Sequence, residues 1–507
     1  MGSGIARDAA LRGLHTALFE KNDFCSGTTS RSTRLIHGGL RYLETLDFRL
    51  VRLDLREREI LLRIAPHLVK PLPFIVPFYG RSRAYRAKIN LGLTLYDILS
   101  FDSSLKRHRS ISASDVRAAA PDVESRALQG GVLYYDAQVE SPERLVLENL
   151  IDAQEHGAFA YNYTEVVGAA AGDSGPGVRV RDLISDNEAE VKGRVIINAA
   201  GPWVDQVSSH MAMQPGTRVR LTKGIHLVCP PLSAKALVFF SRVDDRLFFV
   251  VPWLGQSLIG TTDTDFLQDP GKAAADSADI KYLLDSVRLF IPSLDRSRIR
   301  YSYAGVRALV PEPGKKPSAI SRLHLIADEA VNGAPGLISV IGGKITGYRA
   351  IAEQAVDLAC IKLGVRLASS TESTLLPGAR GQTAPGKELP DFLKPETVRH
   401  LFCLYGSRAA EVIRLAHSDA RLRSCLATDS PDIAAQVIHS VRREQCLRAT
   451  DFLLRRTLMG FSPDQGCRAL PEVIALMGDE LGWSATKRNE EFDAHMQWVH
   501  QTREAIS

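Results

Sequence analysis

The chain lacks the pairing of cysteines that would hold a small or metal-bound fold together. Its seven cysteines (Cys25, Cys229, Cys360, Cys403, Cys425, Cys446 and Cys467) are scattered over 507 residues, and none stands in a Cys-x-x-Cys pair. Neither a disulfide framework nor a metal site is expected, and reduced thiols fit a reducing compartment. No run of about 18 consecutive apolar residues occurs, so no helix should cross a bilayer. Residues 1–11 carry Arg7 and Asp8 and lack the apolar core of a secretory signal. One-sided charge is also missing. The net charge is +5, without a basic tail or a repeated basic–aromatic pattern, so nucleic acid is not an expected partner. What is present, 45% hydrophobic and 24% charged residues, suits a globular protein of two to four folding units.

The chain also lacks the usual opening of a βαβ unit. Residues 4–12 read as a helix and residues 14–19 as a short buried strand ending at Glu20. A polar turn rich in Ser, Thr and Gly follows over 22–34. Residues 48–64 place Leu50, Leu53, Leu61 and Ile64 among charges at helical spacing. Pro66, Pro71, Pro73 and Pro77 then impose extended chain, with a strand at 74–76. Residues 81–109 carry seven Lys or Arg and two Asp around an apolar middle. Further on, 142–156 read as a helix, 195–199 as a buried strand, 247–251 and 257–261 as an antiparallel pair, and 337–341 as a strand followed by a helix from about 346. Residues 369–389 are rich in Ser, Thr, Gly and Pro and read as a linker, and from 395 onward the pattern is helical.

A strand, a glycine turn, a helix, a second strand and an acid form the arrangement that binds a dinucleotide. Glycines admit backbone N–H groups to the pyrophosphate at the helix N-terminus, and the acid accepts the ribose hydroxyls. Gly2 and Gly4 can be the last glycines of such a turn and Glu20 its carboxylate. A helix start followed by a surface glutamate explains the same residues equally well.

A wider set of motifs is more specific. The run Gly27-Thr28-Thr29-Ser30-Arg31-Ser32-Thr33-Arg34-Leu35-Ile36-His37-Gly38-Gly39-Leu40-Arg41-Tyr42-Leu43 resembles the signature of FAD-dependent glycerol-3-phosphate dehydrogenases. So do Ile259-Gly260-Thr261-Thr262-Asp263, Tyr303-Ala304-Gly305-Val306-Arg307 and Gly342-Gly343-Lys344-Ile345-Thr346-Gly347-Tyr348-Arg349. Tyr405-Gly406-Ser407 and the run from Asp451 to Thr457 match that family's helical C-terminal domain. The resemblance runs in order from Gly2 to about Phe461. It implies FAD as cofactor, with Gly2, Gly4, Glu20, Thr28, Ser30, Ser32, Arg34, His37, Gly38, Gly201 and Gly343 around it. It also implies a pocket for glycerol 3-phosphate lined by Arg41, Tyr42, Arg307, Lys344 and Thr346. The chemistry agrees, since fixed cations suit a phosphomonoester and also favour an alkoxide as the hydroxyl proton departs. A histidine suits the base. His226 is the first choice, with Arg307 and Lys344 beside it, and His37 the second, although either can be a histidine that merely holds a loop.

The expected fold is therefore α/β: a discontinuous FAD-binding, Rossmann-like domain of the glutathione-reductase/D-amino-acid-oxidase type, a β-rich substrate domain and an all-α C-terminal domain. The FAD parts fall near 1–65, 135–215 and 325–368, and the substrate domain near 66–134 and 216–324. The whole body is 1–368, the linker 369–389 and the helical domain 390–507. Electrons are expected to pass to a quinone, with the enzyme peripheral on the cytoplasmic side of a membrane, held through 81–109, or else cytoplasmic. A plain solvated helix face accounts for 81–109 as well. The oligomeric state is open, a homodimer included. One rival is an oxidase of the same substrate that makes hydrogen peroxide. The other is an inactive, flavin-poor homologue, because the first strand and two glycines of the family pattern are missing. Losing two or three charge-assisted hydrogen bonds of about 1.5–3 kcal/mol each is expected to weaken FAD binding by roughly a thousandfold or more.

Overall fold

The computed structural model describes residues 1–43, 47–80, 83–170, 176–211, 219–315, 320–386 and 389–506, the side chain of Arg41 excepted. Its largest element is a ten-stranded sheet built on hydrophobic alternation. In the strand Val69–Tyr79, Phe74 and Val76 face one core and Ile75 faces the other. The same alternation recurs at Val132, Leu133 and Tyr134 in Leu128–Val139 and at Leu237, Val238 and Phe239 in Ala236–Phe240, as period-two side chains require. One face packs on the helices Phe48–Ile64 and Pro395–Tyr405, the other on Ser277–Arg288. The strand around Phe74 is longer than the prolines suggest. Pro71, Pro73 and Pro77 are spaced by even numbers, so all three missing donors fall on one edge and the other keeps its ladder to Leu128–Val139.

The dinucleotide-type part is smaller. The helix Gly2–Leu11 lies between Pro142–Glu155 and Tyr348–Leu363, and Gly4, Ala6, Ala9 and Ala10 let these neighbours approach. Its charges are paired: Arg7 with buried Asp152 at 2.5 Å, and Asp8 with Arg12, the residue that ends the helix, at 2.7 Å, Arg12 also reaching the exposed Asp357 at 2.6 Å. The parallel sheet is in two pieces. Ala17–Phe19 pairs with Phe159–Tyr161, and Ile196–Asn198 pairs with Leu337–Gly342, which His324–Asp328 extends. Residues of Ala17–Phe19 and of Ile196–Asn198 line one common cavity.

Two boundaries differ from the expectation. Leu35–Ile36 belongs to the large sheet through its pairing with Leu128–Val139, which itself straddles the expected 134/135 division. Residues 371–380 pack on the body and do not cross open solvent. Leu376 is buried and donates to the Ile64 carbonyl, Gly378 donates to Glu148 at 2.5 Å, and Thr371 bonds Arg349. Residues 395–504 are helical as expected and are tied to the body by buried charge: Arg144 with Glu444 at 2.8 Å, and Asp23 with Arg455 at 2.5 Å and Arg456 at 2.8 Å.

Breaking a fully buried ion pair from one side costs about 3–5 kcal/mol, because the other charge loses its partner. Glu444→Gln is expected to destabilise the protein by that order in urea unfolding. Arg144→Met combined with Glu444→Leu should recover most of the loss.

Candidate active site

A cavity of about 1380 Å³ runs between the two pieces of the parallel sheet and ends beneath the large sheet. Met1, Gly2 and Ser3, at the start of the first helix, line its wall together with Glu20, Gly201 and Gly343. Glu20 accepts from the Asn22 N–H at 3.0 Å, and burial raises its carboxyl to about 7.

The Ser/Thr-rich loop is laid onto the strand Tyr301–Leu309. Thr28 donates to the Val306 carbonyl at 2.6 Å, Arg31 to the Ala304 carbonyl at 3.2 Å, and Tyr303 to the Ser32 carbonyl at 3.0 Å. A Cβ on Gly305 would stand 2.9 Å from that of Arg31, so only glycine permits this contact. Two sequence motifs thus meet as one wall.

Cations gather at the far end. Asp263 receives Arg307 at 3.3 Å and Arg322 at 2.7 Å, with Arg246 at 4.0 Å, and all four residues line the cavity. Although burial opposes its charge, Arg307 and Arg322 hold the Asp263 carboxyl below its ordinary value. Three guanidiniums around one carboxylate leave a net positive wall. Arg307 lies over Gly224 of the paired strand, where a Cβ would come within 2.3 Å of its Nη2. Lys344 forms an ion pair with Asp54 and sits 4.6 Å above the ring of Tyr42.

Of the candidate histidines, His226 is buried and His37 half-buried. His226 Nε2 shares a hydrogen bond of 2.9 Å with Thr33 Oγ1, and the ring stacks on Tyr303 at 5.0 Å. Room for that ring comes from Gly260, whose Cβ would stand 2.6 Å from it. Burial, reinforced by Arg307 and Arg34, lowers His226 to about 3; burial with Lys344 and Arg58 does the same to His37. Both are neutral at pH 7 and weak as bases. His226 is placed beside the cations as expected, but these surroundings do not suit it to take a proton.

The sequence-chosen residues separate into two groups. Gly2, Glu20, Thr28, Ser32, His37, Tyr42, Gly201, His226, Arg307, Gly343, Lys344 and Thr346 line the cavity. Thr346 also accepts from the His37 N–H at 3.2 Å. Gly4, Ser30 and Gly38 are absent from the wall. Gly4 packs against Tyr348, Ser30 donates to the Cys25 carbonyl, and Gly38 donates to Tyr96 Oη at 2.9 Å. Arg34 touches the cavity, but its guanidinium is engaged elsewhere: it grips Glu143 with two bonds of 2.9 and 3.0 Å and lies against the adjoining rings of Trp253 and Phe461, 4.2 and 4.7 Å from their centres. The Arg41 side chain lies outside the described residues. Arg246 and Arg322 were missed, because each sits in a turn with no spacing pattern. Asp54 was missed although a signal existed, since it falls on the buried face of Phe48–Ile64.

The family model "FAD dependent oxidoreductase" matches residues 1–349, and that of the "C-terminal domain of alpha-glycerophosphate oxidase" matches 369–488. A glycerol-3-phosphate dehydrogenase of Synechocystis is 40% identical over 99% of this chain and 94% of its own length. The chain belongs to the FAD-dependent glycerol-3-phosphate dehydrogenase family. Glycerol-3-phosphate dehydrogenase 2 of Mycobacterium tuberculosis is 37% identical over 98% of the chain and 86% of its own length. The dehydrogenase of Bacillus halodurans, solved with FAD, superposes with a TM-score of 0.79 at 27% identity, covering 100% of this chain and 94% of that one. FAD is the cofactor of this family member, and the residues present fit it. Gly2 and Ser3 at the start of the first helix, Glu20, and Gly201, where a Cβ would meet nothing within 4 Å, face the cavity on its dinucleotide side, while at Gly39 only the lack of a side chain lets Tyr42 and Lys344 close on the wall.

The neutral histidines set a pH dependence. Their folded values lie below the unfolded 6.5, so the unfolded chain binds more protons between about 6.5 and 3. Stability is therefore full above 6.5 and falls as pH drops, by up to about 1.4 kcal/mol per pH unit for each histidine. His226→Gln should reduce that slope in urea unfolding measured from pH 7 to 5.

Proposed function

We propose that the chain oxidises sn-glycerol 3-phosphate to dihydroxyacetone phosphate and passes the electrons to a quinone. The observation that carries this reading is the wall of Arg246, Arg307 and Arg322 around Asp263, on the same cavity as Lys344 and Tyr42. A phosphomonoester has nearly two charges at neutral pH, and guanidinium forks match its oxygens. Relatives at 40% and 37% identity named as glycerol-3-phosphate dehydrogenases support the substrate. FAD, when bound, supplies the hydride acceptor for the secondary alcohol carbon. Arg307 holds the phosphate and Lys344 faces the reacting oxygen. Arg41, Tyr42 and Thr346 complete the pocket, and neutral His226 orients the alcohol by hydrogen bonding.

A peripheral position at a membrane fits the same reading. In the helix Arg83–Leu99, Leu91 and Ile98 lie seven residues apart on one face, 72% and 62% exposed, and Phe101 beyond it is 77% exposed. Arg83, Arg86 and Lys88 accompany them, the composition of an element that lies in a lipid surface. Among the described residues no helix is long and apolar enough to cross a membrane.

Stopped-flow mixing of the FAD-loaded protein with glycerol 3-phosphate should bleach the flavin. Bleaching by an amino acid instead would overturn the substrate. Peroxide formed under air at the rate of turnover would replace the quinone by oxygen. In the same assay Arg307→Met should lose about 2–5 kcal/mol of binding, roughly thirty-fold or more in kcat/KM for glycerol 3-phosphate, with little loss for glycerol. Equal losses on both would move Arg307 to the reacting carbon. The protein should also sediment with anionic vesicles, and Leu91→Asp with Ile98→Asp should release it.

A further inference from the structure

A proton must leave the substrate hydroxyl as hydride leaves carbon, and neither His226 nor His37, both held neutral, is suited to take it. Lys344 lines the cavity, and directly behind it stands Asp54, whose side chain is 2% exposed. We propose that Lys344 and Asp54 form the proton acceptor of this site as one unit. The inference rests on the reading of the site as an alcohol-oxidising one.

Three buried carboxylates cluster on this side of the cavity, and their partners distinguish them. Glu57, one helical turn from Asp54, is held by Arg349 through bonds of 2.8 and 2.7 Å. Asp136, on the strand Leu128–Val139, is held by Arg58 at 2.6 Å and by Tyr96. Among the described residues, the cation that pairs with Asp54 is Lys344. Protonating Glu57 or Asp136 would leave a buried guanidinium without its counter-charge, whereas protonating Asp54 leaves a lysine that can itself exchange protons. The turn at Gly347 closes over Asp54, since a Cβ there would lie 3.6 Å from Oδ1.

The step balances within this pair. The hydroxyl O–H bond breaks and its proton joins the Lys344 nitrogen, while one proton already on that nitrogen passes to the Asp54 carboxylate. The C2–H bond breaks with its electron pair leaving to the flavin, and the C2–O bond becomes a carbonyl. Lys344 ends as it began and Asp54 ends neutral. The groups facing Asp54 are Lys344 from the turn after Leu337–Gly342, Glu57 on its own helix and Asp136. Burial lifts its carboxyl to about 6 against the pull of Lys344. At neutral pH it therefore starts ionised, ready to accept, and afterwards returns the proton to solvent. Below that value it is already protonated and the acceptor is blocked.

The test uses the FAD-loaded protein and its Asp54→Asn and Lys344→Met variants. Infrared difference spectra on acidification should show a buried carboxylic acid band with a midpoint near 6. The band should vanish in Asp54→Asn and move to higher pH in Lys344→Met, where the carboxyl has lost its cation. Flavin reduction by glycerol 3-phosphate should fall about tenfold per pH unit below that midpoint. In Asp54→Asn it should be roughly 10²–10⁴-fold slower without that inflection. A wild-type pH profile in Asp54→Asn, or an unchanged infrared band, would overturn the proposal. If glycerol 3-phosphate bleaches wild-type flavin at no pH, the substrate reading fails, and the infrared band still decides the pair because it needs no substrate.

Discussion

The buried grip of Arg34 on Glu143 holds the molecule together at one point. Both side chains are fully buried. Arg34 ends the Ser/Thr-rich loop, Glu143 opens the helix Pro142–Glu155, and the guanidinium lies against both Trp253 of the large sheet and Phe461 of the helical domain, whose rings also touch each other. One planar cation thus touches the dinucleotide-type part, the substrate sheet and the cap. A planar guanidinium can take a carboxylate through two parallel bonds while lying against aromatic rings, and lysine has no such geometry. The cavity wall from Thr28 to Thr33 hangs from this joint.

Electrostatics divide the cavity wall. Cations dominate the end near Arg307 and Lys344, and the carboxylates there are already paired. The two histidines are neutral because burial and the same cations disfavour a further positive charge. The surroundings that suit the wall to a dianion thereby remove imidazole as a base. Binding and proton transfer fall to different side chains for a single physical reason.

Much of this was legible in the sequence because motifs encode backbone requirements. The motifs around the glycines at 38–39, 260, 305 and 342–343 stood out in the sequence, and most of the residues in them reach the wall. The helix Phe48–Ile64 was read with its bounds correct but its inward face slightly turned. Leu53 is half-buried, whereas Asp54, Glu57 and Arg58 are buried. Charges at apolar spacing look like solvent positions until their partners, Lys344, Arg349 and Arg58's own Asp136, arrive from distant parts of the chain. Arg246 and Arg322 were illegible for the same reason: Asp263, which gathers them, does so only in space. Gly4, Ser30 and Gly38 lay in the right motifs but turn away from the cavity, a distinction of direction that residue type does not carry.

The segment 371–380 behaves as a belt more than a tether. It crosses the body with Leu376 and Pro377–Ala379 buried, bonding Ile64 and Glu148 on the way, while Arg380 reaches Asp152 and Glu155. Two family models meet near this stretch, yet the packing has no seam there. Cutting the polypeptide within it would sever one covalent link and leave every noncovalent one, so the halves should stay clasped after nicking. A body expressed without the belt would instead present Glu148 and Asp152, buried carboxylates, to water. Inheritance in two pieces and folding in one are compatible, because the junction became part of the core.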